Sequence, residues 1–272
     1  AASSFSSRFE AGESMRTWKL SMSAPAPAEQ ADDPTPEGVY RFLRYMNDRW
    51  EERARLNARY FTDTLNFDDE RAWKVQADAD VAWILSGLET EDLTGRRLLE
   101  IGCGPGRLLA RLAPRFRHVV GVDLAPTMLR HVRETCRGVG HAGFVHSKGY
   151  DLGFFRDRSF DFIIMVAVAI HVPIEICTSY LRESRRVLRP GGHLRFTLRR
   201  ALTEEDHERL RSYVAREAQR IPSEGYHLVS GADWNGHAFE DRAVAPYLAE
   251  FGFASVKVRK HDIATFWIEA RI

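Results

Sequence analysis

Apolar residues in the first third of the chain recur every three or four positions, the spacing of helices that bury one face. One stripe is formed by Val39, Phe42, Leu43, Met46, Trp50 and Phe61. A second stripe is formed by Trp73, Ala77, Val81, Ile84, Leu85 and Leu88. The pattern predicts two helices that precede the first strand and form a helical cap over residues 39–92.

From residue 97 onward, short apolar runs alternate with segments of helical spacing. Strands are predicted at 97–101, 119–123, 143–146, 161–166 and 193–198. Helices are predicted to begin at Gly106, Pro126 and Ile174. Strands that alternate with helices need crossover connections, so this order predicts a parallel sheet with helices on both faces.

The last part of the chain breaks this alternation. A helix is predicted from Thr203 and another over 240–251, with a Gly- and His-rich stretch between them. The last two strands, 254–260 and 263–272, are separated by a gap that permits a hairpin and excludes a helical crossover. The sequence therefore predicts an α/β fold with a doubly wound, seven-stranded sheet that is mostly parallel and ends in an antiparallel C-terminal hairpin.

The composition divides the chain into a tail and one domain. Residues 1–38 are rich in Ser, Ala, Pro and acidic side chains, which bury too little apolar surface to offset the entropy lost on ordering. We predict a disordered tail over 1–38 and a single domain over 39–272. In that domain the cap precedes a core at 93–200, a lid at 201–240, and a C-terminal helix and hairpin at 241–272.

Charge and cysteine content narrow the function classes. The formal net charge is +1, so no nucleic-acid partner is expected. The three cysteines, Cys103, Cys136 and Cys177, lack the spacing of a zinc site or a disulfide framework, so no metal is predicted and a reducing, cytoplasmic location fits. The longest apolar run, 160–174, is too short to span a bilayer, so no membrane association is expected.

An apolar strand turns through three glycines directly into a predicted helix. Gly102, Gly104 and Gly106 would let the backbone approach a ligand closely. A dinucleotide fingerprint GxGxxG would need a glycine at position 107, which is Arg107. The spacing therefore disfavours NAD or FAD as the ligand.

An acidic residue follows at the spacing expected for ribose binding. Asp123 ends the strand 119–123, where a carboxylate can accept hydrogen bonds from both ribose hydroxyls. The alternative role for Asp123 is to cap the helix that begins at Pro126.

Four motifs between Leu98 and Arg199 together resemble the core of class I S-adenosylmethionine-dependent methyltransferases. They are ExGCGxG at 100–106, GVDLAPTML at 121–129, SFDFIIM at 159–165 and RVLRPGGHLRF at 186–196. The resemblance implies a Rossmann-like fold, whose antiparallel last strand suits the predicted hairpin, and S-adenosylmethionine as the cofactor. It does not identify the methyl acceptor.

The resemblance also implies roles for single residues. The three glycines would pass the methionine and ribose portion of the cofactor, and Glu100 would order their loop or meet the cofactor's amino group through water. Asp123 would bind the ribose, and Leu124 would lie against the adenine. Asp151, followed by Leu152, would accept a hydrogen bond from the adenine amino group; the alternative for Asp151 is a surface turn.

Methyl transfer from a sulfonium requires mainly that the two partners are aligned and water is excluded. His171, in the loop after strand 161–166, is the candidate base, because imidazole takes up a proton near neutral pH and strand ends face the ligand crevice. The alternative is a histidine that caps a helix or packs under the loop. That loop lacks the (D/N)PP(Y/F) tetrapeptide used on amino groups of nucleobases and glutamine, which argues against those acceptors.

Two flanking regions are predicted to close the acceptor pocket. Tyr60 and Trp73 belong to the cap, and Trp234 and His237 belong to the lid, where a polar, glycine-containing stretch in a long connection is typical of a functional loop. We expect methyl transfer to O or N of a small-molecule metabolite. A protein or RNA methyltransferase of the same fold, and a non-catalytic module that binds S-adenosylmethionine, remain alternatives, and the sequence leaves the oligomeric state open.

Overall fold

The computed structural model describes residues 36–63, 66–210, 212 and 236–272. Residues 1–35 of the predicted tail, and Trp234 with most of the predicted lid, lie outside these ranges. The helices are α1 (Pro36–Asn57), α2 (Glu70–Leu85), α3 (Leu109–Leu112), α4 (Pro126–Thr135), α5 (Ile174–Val187), α6 (residues 204–210) and α7 (Asp241–Ala249). Short 3₁₀ turns lie at Ala113–Arg115 and Ala169–His171.

The strands form one sheet. They are β1 (Arg97–Ile101), β2 (His118–Asp123), β3 (Ala142–His146), β4 (Phe160–Met165), β5 (Leu188–Arg200), β6 (Ala238–Phe239), β7 (Ser255–Lys260) and β8 (Thr265–Arg271). Their order is β3-β2-β1-β4-β5-β8-β7, and β6 pairs with β5. Strands β1 to β5 are parallel, whereas β8 runs antiparallel to both β5 and β7, which confirms the predicted fold class.

Alternate residues of the central strands point into two hydrophobic cores, one on each face of the sheet. Leu99 and Ile163 face a core shared with α1, α5 and α7. Leu98 and Phe162 face the other core, which α2, α3 and part of α4 cover. Because both faces are covered, the central strands are mostly apolar on both sides, and this explains their short, nearly continuous apolar runs in the sequence.

Three details differ from the sequence-based predictions. An eighth strand, β6, adds two residues beside Arg199 and Arg200 and was not predicted, because two residues carry no periodic pattern. The helix predicted from Gly106 begins at Leu109, since Gly106 has φ +87° and cannot take helical geometry. Helix α1 begins at Pro36, inside the predicted tail, and Pro is favourable in the first turn of a helix.

Helix α2 is capped at its first end and is bonded to the sheet at its second end. Its first turn is capped by Asp69, whose Oδ1 accepts hydrogen bonds from the backbone N–H groups of Arg71 and Ala72. At its other end, the buried guanidinium of Arg195 on β5 donates to the carbonyls of Ile84 and Ser86. In the described ranges, no helix is long and apolar enough to cross a bilayer.

Candidate functional site

The carboxyl ends of β1, β2 and β4 converge on a cleft of about 110 Å³. Gly102 and Gly104 follow β1, Asp123 ends β2 and Leu124 follows it, and His171 follows β4; all five line the cleft. Parallel sheets place ligand crevices at this edge, beside the point where the strand order reverses. The structure thus brings together residues that are far apart in the sequence.

The glycine loop packs directly against the loop that follows β4. Gly102 has φ +70°, and a Cβ atom at this position would overlap Cγ2 of Val168. Its backbone N–H donates to the Val122 carbonyl at 2.7 Å, which fixes the loop against β2. Gly106 lies away from the cleft surface, where a Cβ would come within 2.6 Å of Val132 on α4. The lack of a side chain at Gly106 therefore allows the loop to pack closely on α4.

The Asp123 carboxylate ties the glycine loop to the turn after β2. Its Oδ2 accepts the Gly104 N–H at 2.9 Å, and its Oδ1 accepts the Ala125 N–H at 2.9 Å. Each oxygen keeps further acceptor capacity for a ligand hydroxyl. The N-cap residue of α4 is Ala125, so Asp123 holds the turn before the helix and does not cap it. Burial raises the pKa of Asp123 to about 6.

Glu100 lies behind the glycine loop on β1 and is 3% exposed. Among the described residues, none donates a hydrogen bond to its Oε2. Burial raises the pKa of Glu100 to about 8, and the nearby charge of Arg107 opposes this rise. A buried carboxyl oxygen without a donor is costly, so a ligand ammonium or an ordered water would stabilise this position.

Of the residues predicted to lie near the adenine, one lines the cleft and two do not. Leu124 lines the cleft, as do Ser147 and Gly149 on the segment after β3. Contrary to the prediction, the side chain of Leu152 is fully buried in the hydrophobic core and does not reach the cleft, because the α5 side of the sheet needs an apolar residue there. Asp151 does not line the cleft either; its Oδ1 accepts the N–H of Gly153 in a turn.

A roof from the cap covers the cleft opposite the glycine loop. It consists of Met46 and Trp50 on α1 and Phe61 and Thr62 in the turn after it. The Oγ1 of Thr62 would lie 3.5 Å from a Cβ at Gly104, so the roof nearly touches the loop. The cap therefore narrows the cleft on the side opposite the glycine loop.

Two aromatic residues predicted for the pocket lie elsewhere. Tyr60 packs edge to face against Phe61 and Phe67 and stands behind the roof. Trp73 lies in a separate groove, beside the guanidinium groups of Arg59 and Arg107. The prediction failed for Trp73 because helical spacing gives the buried face of α2 but not the neighbour that this face meets.

His171 ends the 3₁₀ turn after β4 and packs against the roof. Its ring centroid is 5.3 Å from that of Trp50, at an interplanar angle of 72°. The turn begins beside Ala167, which has φ +56° and whose N–H donates to the Thr197 hydroxyl at 2.8 Å. Non-glycine residues in this conformation are strained and cluster at functional sites.

The C-terminal end of the predicted lid touches the His171 turn. The N–H of Gly236 donates to the Ile170 carbonyl at 3.1 Å, and Arg199 Nη1 donates to the Gly236 carbonyl at 3.1 Å. His237 is exposed and packs on Phe239, so the structure does not place it in the cleft. Trp234 lies outside the described residues.

Sequence-based reasoning missed one polar group on the cleft, the hydroxyl of Tyr180 on α5. Tyr180 lines the cleft and is 3% exposed. Burial raises its pKa, and its hydroxyl forms a hydrogen bond with Ser147. In the sequence Tyr180 belongs to the apolar stripe of α5, so no linear signal distinguishes it from a core residue.

Comparison with known proteins identifies the core. Residues 98–192 match a family model described as a methyltransferase domain. The demethylmenaquinone methyltransferase of Tropheryma whipplei is 34% identical over 100 residues, which are 37% of this chain and 40% of that protein. The ubiquinone biosynthesis O-methyltransferase of Xanthomonas oryzae pv. oryzae is 32% identical over 104 residues, 38% of this chain and 43% of that protein. The chain thus spans less than half the length of these curated relatives.

Among solved structures, the DhpI–SAH complex has a TM-score of 0.55 and 15% identity, and the match covers 87% of this chain and 98% of that chain. At this identity the likeness shows the fold. The fold defines a Rossmann-like domain whose cleft lies at the carboxyl ends of its parallel strands. The match at residues 98–192 then identifies it: the chain carries a class I S-adenosylmethionine-dependent methyltransferase domain, with S-adenosylmethionine as its cofactor, as predicted.

We expect Glu100 to make a contribution to the stability of the protein that falls as the pH rises. Unfolded glutamate loses its proton near 4.5, whereas folded Glu100 keeps its proton up to about 8. The stability that the neutral form contributes is therefore complete below 4.5 and is lost as the pH rises through 8. Urea unfolding across this window should show a smaller loss for Glu100→Gln than for the wild type. Glu240→Gln, which changes an exposed carboxyl, is the control. If the unfolding free energies of the wild type and of Glu100→Gln changed with pH by the same amount, the expectation would be contradicted.

A second prediction separates the close approach at the glycine loop from simple backbone strain. Gly102→Ala and Gly138→Ala both place a side chain at positive φ, but only Gly102 has a neighbour within 4 Å. We expect each to lose about 1 kcal/mol from the left-handed backbone. Gly102→Ala should lose about 1–3 kcal/mol more from overlap with Val168 and also bind S-adenosylhomocysteine more weakly. Equal unfolding free energies for the two variants would exclude a close approach at Gly102.

Proposed function

We propose that the protein transfers a methyl group from S-adenosylmethionine to O or N of a small-molecule acceptor. The observation that carries the proposal is one roofed cleft in which the glycine loop, the Asp123 carboxylate and His171 meet. The curated relatives named above include methyltransferases of demethylmenaquinone and of ubiquinone biosynthesis, which supports a small-molecule acceptor.

The groups around the cleft fit the chemical features of the cofactor. Asp123 accepts hydrogen bonds from the ribose hydroxyls with the lone pairs that its backbone partners leave. Leu124 offers an apolar surface for the adenine, and Glu100 provides a buried acceptor for the amino group, directly or through water. The bound cofactor supplies an already activated methyl group on a positively charged sulfur.

The chain's own contribution to the transfer is alignment and the exclusion of water. Met46, Trp50 and Phe61 form an apolar roof, so water is removed from the space between donor and acceptor. The aromatic faces of the roof favour a positive sulfur over a neutral one by cation–π interaction. Orientation by such a site supplies a large part of the rate enhancement in a displacement of this kind.

His171 is proposed as the base that takes the proton from the acceptor hydroxyl or amine. It lines the cleft at the end of β4, and its contact with Trp50 holds the ring beside the roof. An imidazole near neutral pH is suited to this role.

The cofactor assignment predicts measurable binding by the intact protein. Calorimetry with S-adenosylhomocysteine should show binding to the wild type, and Asp123→Ala should weaken it about tenfold or more, because charge-assisted hydrogen bonds to the ribose are lost. Asp241→Ala, an exposed carboxylate on α7, is the matched control and should bind as the wild type does. Circular dichroism confirms that each variant is folded. Absence of binding by the wild type would refute the proposed function.

The proposed base is tested by separating turnover from binding. His171→Ala should lose turnover about a hundredfold or more while it keeps its affinity for S-adenosylhomocysteine. His118→Ala, an exposed histidine at the opposite end of β2, serves as the control. Turnover is measured as S-adenosylhomocysteine formed with the best acceptor in a panel of small phenols, catechols and amines. Unchanged turnover in His171→Ala would remove this residue as the base.

A further inference from the structure

We propose that Glu51 is a positioning residue that latches the cap over the cofactor cleft and thereby controls how fast the cofactor enters and leaves. The inference rests on the proposed function, because it concerns the same cleft. It assigns a role to a residue on α1 that lies outside the four methyltransferase motifs.

Helix α4 begins without a side-chain cap of its own. Its N-cap residue is Ala125, which has no side chain able to accept a hydrogen bond, and Pro126 follows. The first N–H groups of a helix need partners from outside the helix. Residues 123–125 form the turn where the cofactor's ribose and adenine are expected, so the start of α4 is part of the binding site.

Glu51 supplies the missing cap from the other side of the cleft. Its Oε2 accepts the Thr127 backbone N–H at 2.9 Å, and its Oε1 accepts the Thr127 hydroxyl at 2.6 Å. A carboxylate at a helix N-terminus also interacts favourably with the helix dipole. The two hydrogen bonds join α1 to the segment that directly follows the Asp123 turn.

Neighbouring residues on α1 make Glu51 part of a three-point attachment. Asn47 Nδ2 donates to the Lys148 carbonyl at 3.3 Å, which connects α1 to the segment after β3. Trp50 packs against His171 and so connects α1 to the segment after β4. The contact of Glu51 with Thr127 connects α1 to the segment after β2. The roof is thus held to three of the four segments that follow β1 to β4 and border the cleft.

The size of the cleft implies that this attachment has to loosen. The cavity is about 110 Å³, whereas pockets that hold small molecules and cofactors usually measure about 300–1,000 Å³. Phe42 is 1% exposed and anchors the first half of α1 in the main core, whereas Ala54 and Ala58 in the second half pack in a small cluster with Ala125 and Met128 at the start of α4. Movement is therefore expected in the second half of α1 and in the turn at Phe61 and Thr62, and Glu51 lies in this moving part.

The first experiment measures cofactor exchange directly. Stopped-flow fluorescence, with Trp50 on the roof as one reporter, follows the binding and release of S-adenosylhomocysteine. In Glu51→Ala both rates should rise, with dissociation about tenfold faster, since a lost helix cap weakens the closed state by about this factor. Glu51→Gln should be intermediate because its amide oxygen can still accept the Thr127 N–H. The control Glu52→Ala, which removes only a pair with Arg49, should exchange as the wild type does.

A double variant distinguishes the latch from general destabilisation. Thr127→Val removes the hydroxyl donor to Glu51 and keeps the backbone N–H. If the two residues act as a pair, Thr127→Val introduced alone accelerates the release of S-adenosylhomocysteine. Introduced into Glu51→Ala, it changes the release rate little further. Additive effects on the release rate would mean that the residues act independently and would overturn the proposal.

The second experiment needs no cofactor. In the cofactor-free protein, the Thr127 amide should exchange its hydrogen faster in Glu51→Ala than in Glu52→Ala. The backbone amides in the second half of α1 should also exchange faster. If the wild type does not bind S-adenosylhomocysteine, the proposed function fails, yet the exchange data still test the contact. If the wild type binds and Glu51→Ala releases the ligand at the rate of Glu52→Ala, the latch is refuted while the proposed function stands.

Discussion

The carboxylate of Asp123 holds together two backbone segments that come from different strands, and the geometry of the cleft depends on it. One oxygen accepts the N–H of Gly104 and the other accepts the N–H of Ala125. Burial makes the ionised form costly, which raises the pKa of Asp123 to about 6. The backbone hydrogen bonds oppose this cost. A residue expected to bind a ribose is therefore also the residue that shapes the loop around it.

The hydrogen bonds of Asp123 also constrain the residues around the glycine loop. Asp123 can tie down the glycine loop only if that loop passes close to β2 and to the loop after β4, and Gly102 makes this possible because it has no side chain to meet Val168. Behind the loop, Glu100 stays in a buried position with one oxygen that no described residue satisfies. A ligand that supplied a donor at this position would be linked to the stability of the loop, because binding to the folded state alone stabilises it.

The helical cap provides the residues on the other side of the cleft. The core provides the loops on one side of the cleft, and Met46, Trp50, Phe61 and Thr62 line it from the side of the cap. The hydrogen bonds from Thr127 to Glu51 show how the two halves depend on each other: α4 lacks a side-chain cap in its own sequence, and α1 provides one. The contact that completes the start of α4 is therefore also a contact that holds the cap to the core.

The sequence by itself determined the order of helices and strands, the antiparallel hairpin, the glycine loop and Asp123, because each depends on residues close together in the chain. Apolar spacing predicts a buried face, and glycine allows a turn at positive φ wherever the fold is completed. Only the tertiary structure decided which buried face meets which partner. It placed Trp73 in a separate groove and Leu152 in the core, and it brought Trp50 to His171 and Glu51 to Thr127. The last pair is 76 positions apart, and no local pattern encodes a contact that forms only when the cap packs on the sheet.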